Sequence, residues 1–307
     1  MQLTGLLSFP LTAFDRAGRV DLAAVAEHVA HQLAARPGAL FVACGTGEFP
    51  ALSLAEYREV VATATSVVAG AVPVLSGVGG GPAVAREFLT AAGEAGVDGV
   101  LLLPPYLVQG PQQGLTDHVR HVVGGSGVPT VVYRRGTARY GADAARQLLD
   151  VPEVVGLKDG TGDVEEVLGV VRAVRGSGHP RAAGFLFLDG TPTAEVSARA
   201  FRAIGVESYS SAVHCFAPQL AGAFHRALGD GRDADVDLLL DRFFLPLARL
   251  RDEVPGYAVS LVKAAARLTG QQVGSVRPPL VDPRPEHLAR LAELLTAGEQ
   301  ALGELTG

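Results

Sequence analysis

Only two of the 26 basic side chains in this sequence are lysines, Lys158 and Lys263. Lys158 sits in VVGLKDGTGD (154–163), which reads as a short apolar strand ending in a lysine, then a glycine-rich turn, then a helix. Arginine stays protonated in proteins, whereas a buried lysine amine sheds its proton and attacks a carbonyl. A strand-end lysine in an arginine-rich chain is therefore a candidate imine-forming nucleophile. Tyr133 lies one strand earlier, where its hydroxyl could pass protons to and from the same carbonyl. Gly45-Thr46-Gly47-Glu48 opens a loop whose backbone N–H groups and hydroxyl could hold a carboxylate.

Other polar residues fall at the ends of apolar runs: Ser8, Thr191, and Ser210 with Ser211, while Tyr106 follows the fourth run. His28/His31 and His118/His121 have helical spacing that can ligate metal, but neither pair has a third ligand, so both read as surface helix residues and no metal site is expected. His214 and Cys215 read as packing at the rim, and Glu165-Glu166 as a solvated helix face. Lys263 falls on a C-terminal helix and is assigned no chemistry.

The elements that must position these groups follow from hydrophobic patterning. Apolar, β-rich runs at 5–10, 39–44, 73–78, 99–104, 130–134, 154–158, 185–189 and 206–212 alternate with helical stretches. Continuous runs such as LFVA (40–43) and VLLL (100–103) suit strands covered on both faces. Repeated βα units predict an α/β fold, a TIM (β/α)8 barrel over 1–229 with a helical C-terminal extension over 230–307; an open doubly wound sheet is the alternative. Helix signals agree. Asp21 caps a helix over 22–35, SLAE (53–56) is a capping box, Pro82 opens a helix to 95, Asp163 caps 164–174 and Pro192 starts a helix to 204. Further helices are predicted over 216–228, 233–251, 257–268 and 285–303. In such a barrel the active site lies at the C-terminal ends of the strands, where the polar residues above collect.

Composition narrows the function classes. Net charge is −6, tryptophan is absent, and no basic tract or aromatic-basic interleaving occurs, so nucleic acid is not an expected partner. No apolar run is long enough to span a bilayer, and the first 14 residues lack a basic leader. Two cysteines, Cys44 and Cys215, form neither a disulfide framework nor a zinc pattern, which suits a reducing cytoplasm.

The GTGE loop, the strand-five tyrosine and the lysine in GLKD together resemble the dihydrodipicolinate synthase/N-acetylneuraminate lyase superfamily. Within it, GLLSFP (5–10), CGTGEF (44–49), LLLPPYL (101–107), GLKDGTGD (156–163), PTAE (192–195), YSSAV (209–213), GYAVSLVK (256–263) and VRPPL (276–280) look like the 5-dehydro-4-deoxyglucarate dehydratase branch. The matches spread over nearly the whole chain. The resemblance implies a Schiff base on Lys158, proton shuttling by Tyr133, and carboxylate binding by Thr46 with Gly45 and Gly47. Ser8, Thr191 and Ser210 or Ser211 join the candidate substrate contacts, with Arg134, Arg135 or Arg139 for a distal carboxylate. Tyr106 matches a tyrosine that reaches a neighbouring subunit's site. The implied substrate is a small keto sugar acid, the implied assembly a homodimer or homotetramer, and no metal or organic cofactor is called for. A pyruvate-dependent aldolase or a non-catalytic sugar-acid-binding relative are the alternatives. The chain departs from the synthase pattern at Gly45, where a threonine is common, and from the dehydratase pattern at Arg134, Asp189, His214 and Cys215, all expected near the pocket.

Overall fold

The computed structural model describes residues 3–305. Eight parallel strands close in chain order: β1 (Leu7–Ser8), β2 (Ala39–Val42), β3 (Val74–Val78), β4 (Gly99–Leu102), β5 (Thr130–Arg134), β6 (Val154–Asp159), β7 (Leu186–Asp189) and β8 (Ser208–Ser211). The TIM barrel is thus the observed fold and the open sheet is not. Alternate residues point inward, where Leu7, Phe9, Phe41, Leu75, Leu101, Val131, Tyr133 and Leu188 fill the barrel. Phe9 and Phe41 stack there with centroids 4.5 Å apart. The other set faces the helices, which explains why β2 is buried at every position.

Helices separate the strands: α1 (Leu22–Ala34), α2 (Leu54–Val68), α3 (Pro82–Glu94), α4 (Gln112–Val123), α5 (Ala142–Gln147), α6 (Val164–Arg175) and α7 (Ala198–Ala203). Asp21 caps α1 through the Ala24 N–H, and Ser53 with Glu56 forms the expected capping box on α2. After β8 come α8 (Pro218–Asp230), α9 (Asp233–Leu239), α10 (Leu245–Asp252), α11 (Tyr257–Leu268) and α12 (Pro285–Glu304).

Three expectations need correction. The first strand is two residues, not six, because Gly5 turns the chain at φ 78° and Pro10 has no N–H for a ladder. Pro192 does not start a helix: Thr193 adopts a left-handed conformation, a single 3₁₀ turn follows at Ala194–Val196, and α7 begins only at Ala198. The Ser197 hydroxyl donates to Asp189 at 2.6 Å and ties this loop back to the end of β7. The helix expected over 233–251 is interrupted by a π turn at Leu240–Phe244, just before Pro246, whose missing N–H breaks the regular ladder.

Candidate active site

A cavity of about 410 Å³ opens at the C-terminal end of the barrel, with Lys158, Tyr133, Arg135, Thr46, Thr191 and Ser210 in its wall. The register of β5 on β6 sets Tyr133 beside Lys158. Lys158 is 5% exposed, and its Nζ lies 3.9 Å from the Phe9 ring centroid and 4.7 Å from that of Tyr133. Burial lowers its pKa from 10.5 to about 7; Arg135 adds to the fall, while Cys44 and Asp189 oppose it. An amine in that state is half free near neutral pH, as a nucleophile requires.

Two glycines make room for this pair. A Cβ at Gly190 would sit 2.4 Å from Lys158 Cε, and one at Gly160 would sit 2.7 Å from the Tyr133 hydroxyl. The Tyr133 hydroxyl donates to the Gly190 carbonyl at 2.8 Å and accepts from Arg135 at 3.2 Å. Burial raises its pKa, so it is a protonated phenol poised as a donor.

The strand-two loop brings Gly45, Thr46 and Glu48 to the same cavity. Gly47 does not line it. Its carbonyl accepts from Thr12 at 2.7 Å, and a Cβ there would press on Ala43 and Pro10. Glu48 takes a left-handed backbone at φ 56° and sends its carboxylate inward. Oε1 accepts from Lys263 at 2.7 Å and Oε2 from the Arg277 N–H at 2.8 Å. Lys263 is wholly buried, with Nζ 4.0 Å from the Phe14 ring centroid. One carboxylate therefore joins the strand-two loop, α11 and the 277–280 segment, each of which supplies cavity wall. Sequence reasoning passed over Lys263; its rarity and its place in GYAVSLVK were the available signals.

Ser8 and Ser211 are also displaced from their expected roles. Each is the outward-facing member of its strand pair. Ser8 donates to Gln32 at 3.1 Å and Ser211 to Glu195 at 2.5 Å, behind the barrel wall. Ser210 faces the cavity and donates to the Asp189 carbonyl at 3.3 Å, and Thr191 binds the Asp189 carboxylate at 2.8 Å. Tyr106 is 71% exposed on the loop after β4, with Leu107 and Val108 exposed beside it, and does not line this chain's cavity.

Histidines and acids depart from expectation too. His28 is buried rather than on the surface: Nε2 accepts the Leu11 N–H at 3.0 Å and Nδ1 meets Gln271 at 2.6 Å. Burial lowers its pKa to about 4. Glu166 is not merely solvated, since it pairs with Arg134 and Arg139. Among the described residues no cluster of three or more His, Cys, Asp or Glu could hold a metal, and no helix is long and apolar enough to cross a membrane.

The chain matches the dihydrodipicolinate synthetase family model over residues 2–298. It belongs to that family. A Streptomyces coelicolor protein named probable 5-dehydro-4-deoxyglucarate dehydratase 2 is 50% identical over 298 residues, covering 97% of this chain and 90% of its own length. The Streptomyces avermitilis protein of the same name is 48% identical over 299 residues, covering 97% and 88%. Among solved structures, dihydrodipicolinate synthase from Bacillus clausii superposes with a TM-score of 0.88 at 25% identity, covering 97% of this chain and 98% of that one.

Most departures from the two branch patterns, and all four from the dehydratase pattern, lie off the cavity. Arg134 is 2% exposed and points outward, pairing with Asp159 at 2.6 Å and donating to Thr161 at 2.8 Å. His214 meets Gln32 at 2.6 Å, and the Cys215 thiol donates to the Phe9 carbonyl. Asp189 is fully buried beneath Thr191 and Ser197. Gly45 alone among the five lines the cavity.

Proposed function

We propose that this chain is a class I Schiff-base lyase that converts 5-dehydro-4-deoxy-D-glucarate to 2,5-dioxopentanoate, CO2 and water. The observation that carries the reading is the buried Lys158 amine, lowered to about 7, beside the Tyr133 hydroxyl, in a chain half identical to relatives bearing that dehydratase name. Lys158 attacks the keto carbon, and water leaves as the imine forms. Thr46 and the loop N–H groups hold the neighbouring carboxylate, while Tyr133 carries protons to the departing oxygen. The iminium acidifies the adjacent methylene; loss of that proton and departure of the β-hydroxyl as water leave a conjugated iminium. Its conjugation ends at the carbon next to the one that bears the far carboxylate, so the bond to that carboxylate can break into it. As CO2 leaves, that bond's electrons flow to the imine nitrogen. Protonation gives the aldehyde, and hydrolysis of the imine frees Lys158, with one proton taken up overall. The lysine is itself the electron sink, so the scheme calls on no metal or organic cofactor.

Ser210 and Thr191 are assigned to the polyol end of the substrate. The exposed Tyr106–Leu107–Val108 tip supports assembly as a homodimer or homotetramer, and the cytoplasm is the assigned compartment. The test is borohydride trapping with a panel of 2-keto acids, read by mass spectrometry at Lys158 and scored with CO2 release. Adduct plus stoichiometric CO2 from the dehydroglucarate is expected. Release of pyruvate without CO2 makes the chain an aldolase instead, and bound keto acid without adduct removes the Schiff-base chemistry.

A further inference from the structure

The cavity wall holds three arginines, Arg135, Arg251 and Arg277. Two of them are committed. Arg251 pairs with Asp252 and donates to Thr193 and the Pro192 carbonyl. Arg277 pairs with Glu56 and donates to the carbonyls of Gly18 and Ala51. Arg134 and Arg139 both give their charge to Glu166, away from the cavity. Arg135 is exposed, and its contacts are the Tyr133 hydroxyl at 3.2 Å and the Tyr133 ring at 5.9 Å. Among the described residues it is the cavity-lining cation with no carboxylate partner and no imine to form.

We propose that Arg135 is the specificity determinant that takes the far-end carboxylate of a 2-keto dicarboxylic acid bound on Lys158. The inference rests on the Schiff-base reading of Lys158. A guanidinium suits the task because its planar fork matches a carboxylate with two parallel donors and is always charged. Its bond to Tyr133 fixes it on the Lys158 side of the cavity, so one chain can span the imine and the fork. In the dehydratase scheme the far carboxylate is the one that leaves as CO2, and Arg135 sets its orientation before the bond breaks.

A matched pair of unreactive ligands isolates this contact. 2-Oxoadipate and 2-oxohexanoate have the same chain length and the same keto acid end, and differ in the far carboxylate. Half-saturation of borohydride trapping at Lys158 is measured for each, in wild type and in Arg135→Gln and Arg135→Lys, at low and high salt. Wild type is expected to favour the dicarboxylate by roughly tenfold, less at high salt. Arg135→Gln should abolish the preference and Arg135→Lys restore part of it. Arg135→Gln will also trap more slowly with either ligand near neutral pH, because Lys158 loses a neighbouring cation that lowers its pKa; the ratio is the readout that a merely structural role would not move. A preference that survives in Arg135→Gln, or none in wild type, overturns the assignment and leaves the Schiff base standing. A wild type that traps neither ligand overturns both.

Discussion

Lys158 sets a measurable pH profile. Its pKa falls from 10.5 to about 7, chiefly because burial penalises the ammonium. At pH 7 about half the amine is free, a gain on the order of a thousandfold over an unperturbed lysine. The rate of imine formation with subsaturating pyruvate, quenched by borohydride and counted by mass, should rise about tenfold per pH unit in the acid range and level off by about pH 8. A rise that continues to pH 10 would refute the depressed pKa. The same shift has a stability consequence. Below about pH 7 both folded and unfolded chains hold the proton, and the fold carries the full penalty of the buried charge. Between about 7 and 10.5 only the unfolded chain holds it, so stability climbs with pH through that window. The fall corresponds to roughly 5 kcal/mol, partly offset by the ring contacts with Phe9 and Tyr133. Lys158→Met removes the penalty and should raise the melting temperature by several degrees at pH 6, a gain that vanishes near pH 10.5. Equal melting shifts at both pH values would show that burial of the charge is not the cause.

Tyr133→Phe should still trap keto acid on Lys158 but lose roughly 10²–10⁴ in turnover; unchanged turnover removes its shuttle role. Lys263→Met strands the buried Glu48 carboxylate, costing about 3–5 kcal/mol; the loss appears as an earlier melt, and adding Glu48→Gln should restore part of it, with strict additivity counting against direct coupling. Glu195 is buried and its pKa is raised from 4.5 to about 7 by desolvation, which the Ser211 hydroxyl only partly offsets. Between those values the folded chain holds a proton that the unfolded chain has lost, so stability falls as pH rises and the full penalty remains above about 7. Glu195→Gln should therefore stabilise the protein by up to about 3 kcal/mol at pH 8 and by little at pH 4, measured by melts at the two pH values.

The barrel was legible because eight apolar runs alternate with capped helices, and the capping residues Asp21, Ser53 and Asp163 mark real helix starts. Facing was harder. A strand buried on both sides offers no polar alternation to fix its register, so Ser8 and Ser211 were indistinguishable from Ser210 until pairing placed them outward. His28 was readable but missed: it lies four residues from both Ala24 and Gln32, within the buried stripe of α1. Other features depend on contacts that no local pattern encodes. Glu48 meets Lys263 from 215 positions away. Arg134 and Arg135 are adjacent in sequence, yet strand alternation sends the first behind the wall and leaves the second in the cavity.

The two lysines sharpen what makes one of them a nucleophile. Both are buried, and each Nζ lies about as close to an aromatic ring, 3.9 Å for Lys158 on Phe9 and 4.0 Å for Lys263 on Phe14. Both pKa values fall through desolvation, to about 7 and about 8. Burial is therefore common to the pair and does not by itself select for chemistry. What differs is the neighbour. Lys263 has the Glu48 carboxylate at 2.7 Å, which favours the charged form and occupies the amine. Lys158 forms no such pair among the described residues; its surroundings are two rings, a glycine carved to fit its stem and an open cavity. A carboxylate introduced into the same cavity lining, as in Leu101→Asp two strands away on β4, should shift it toward the Lys263 state: a raised pKa, a charged amine in place of a free one, and trapping that moves to higher pH. If that variant folds and still traps keto acid at pH 7 as fast as wild type, freedom from a carboxylate partner is not what makes Lys158 reactive.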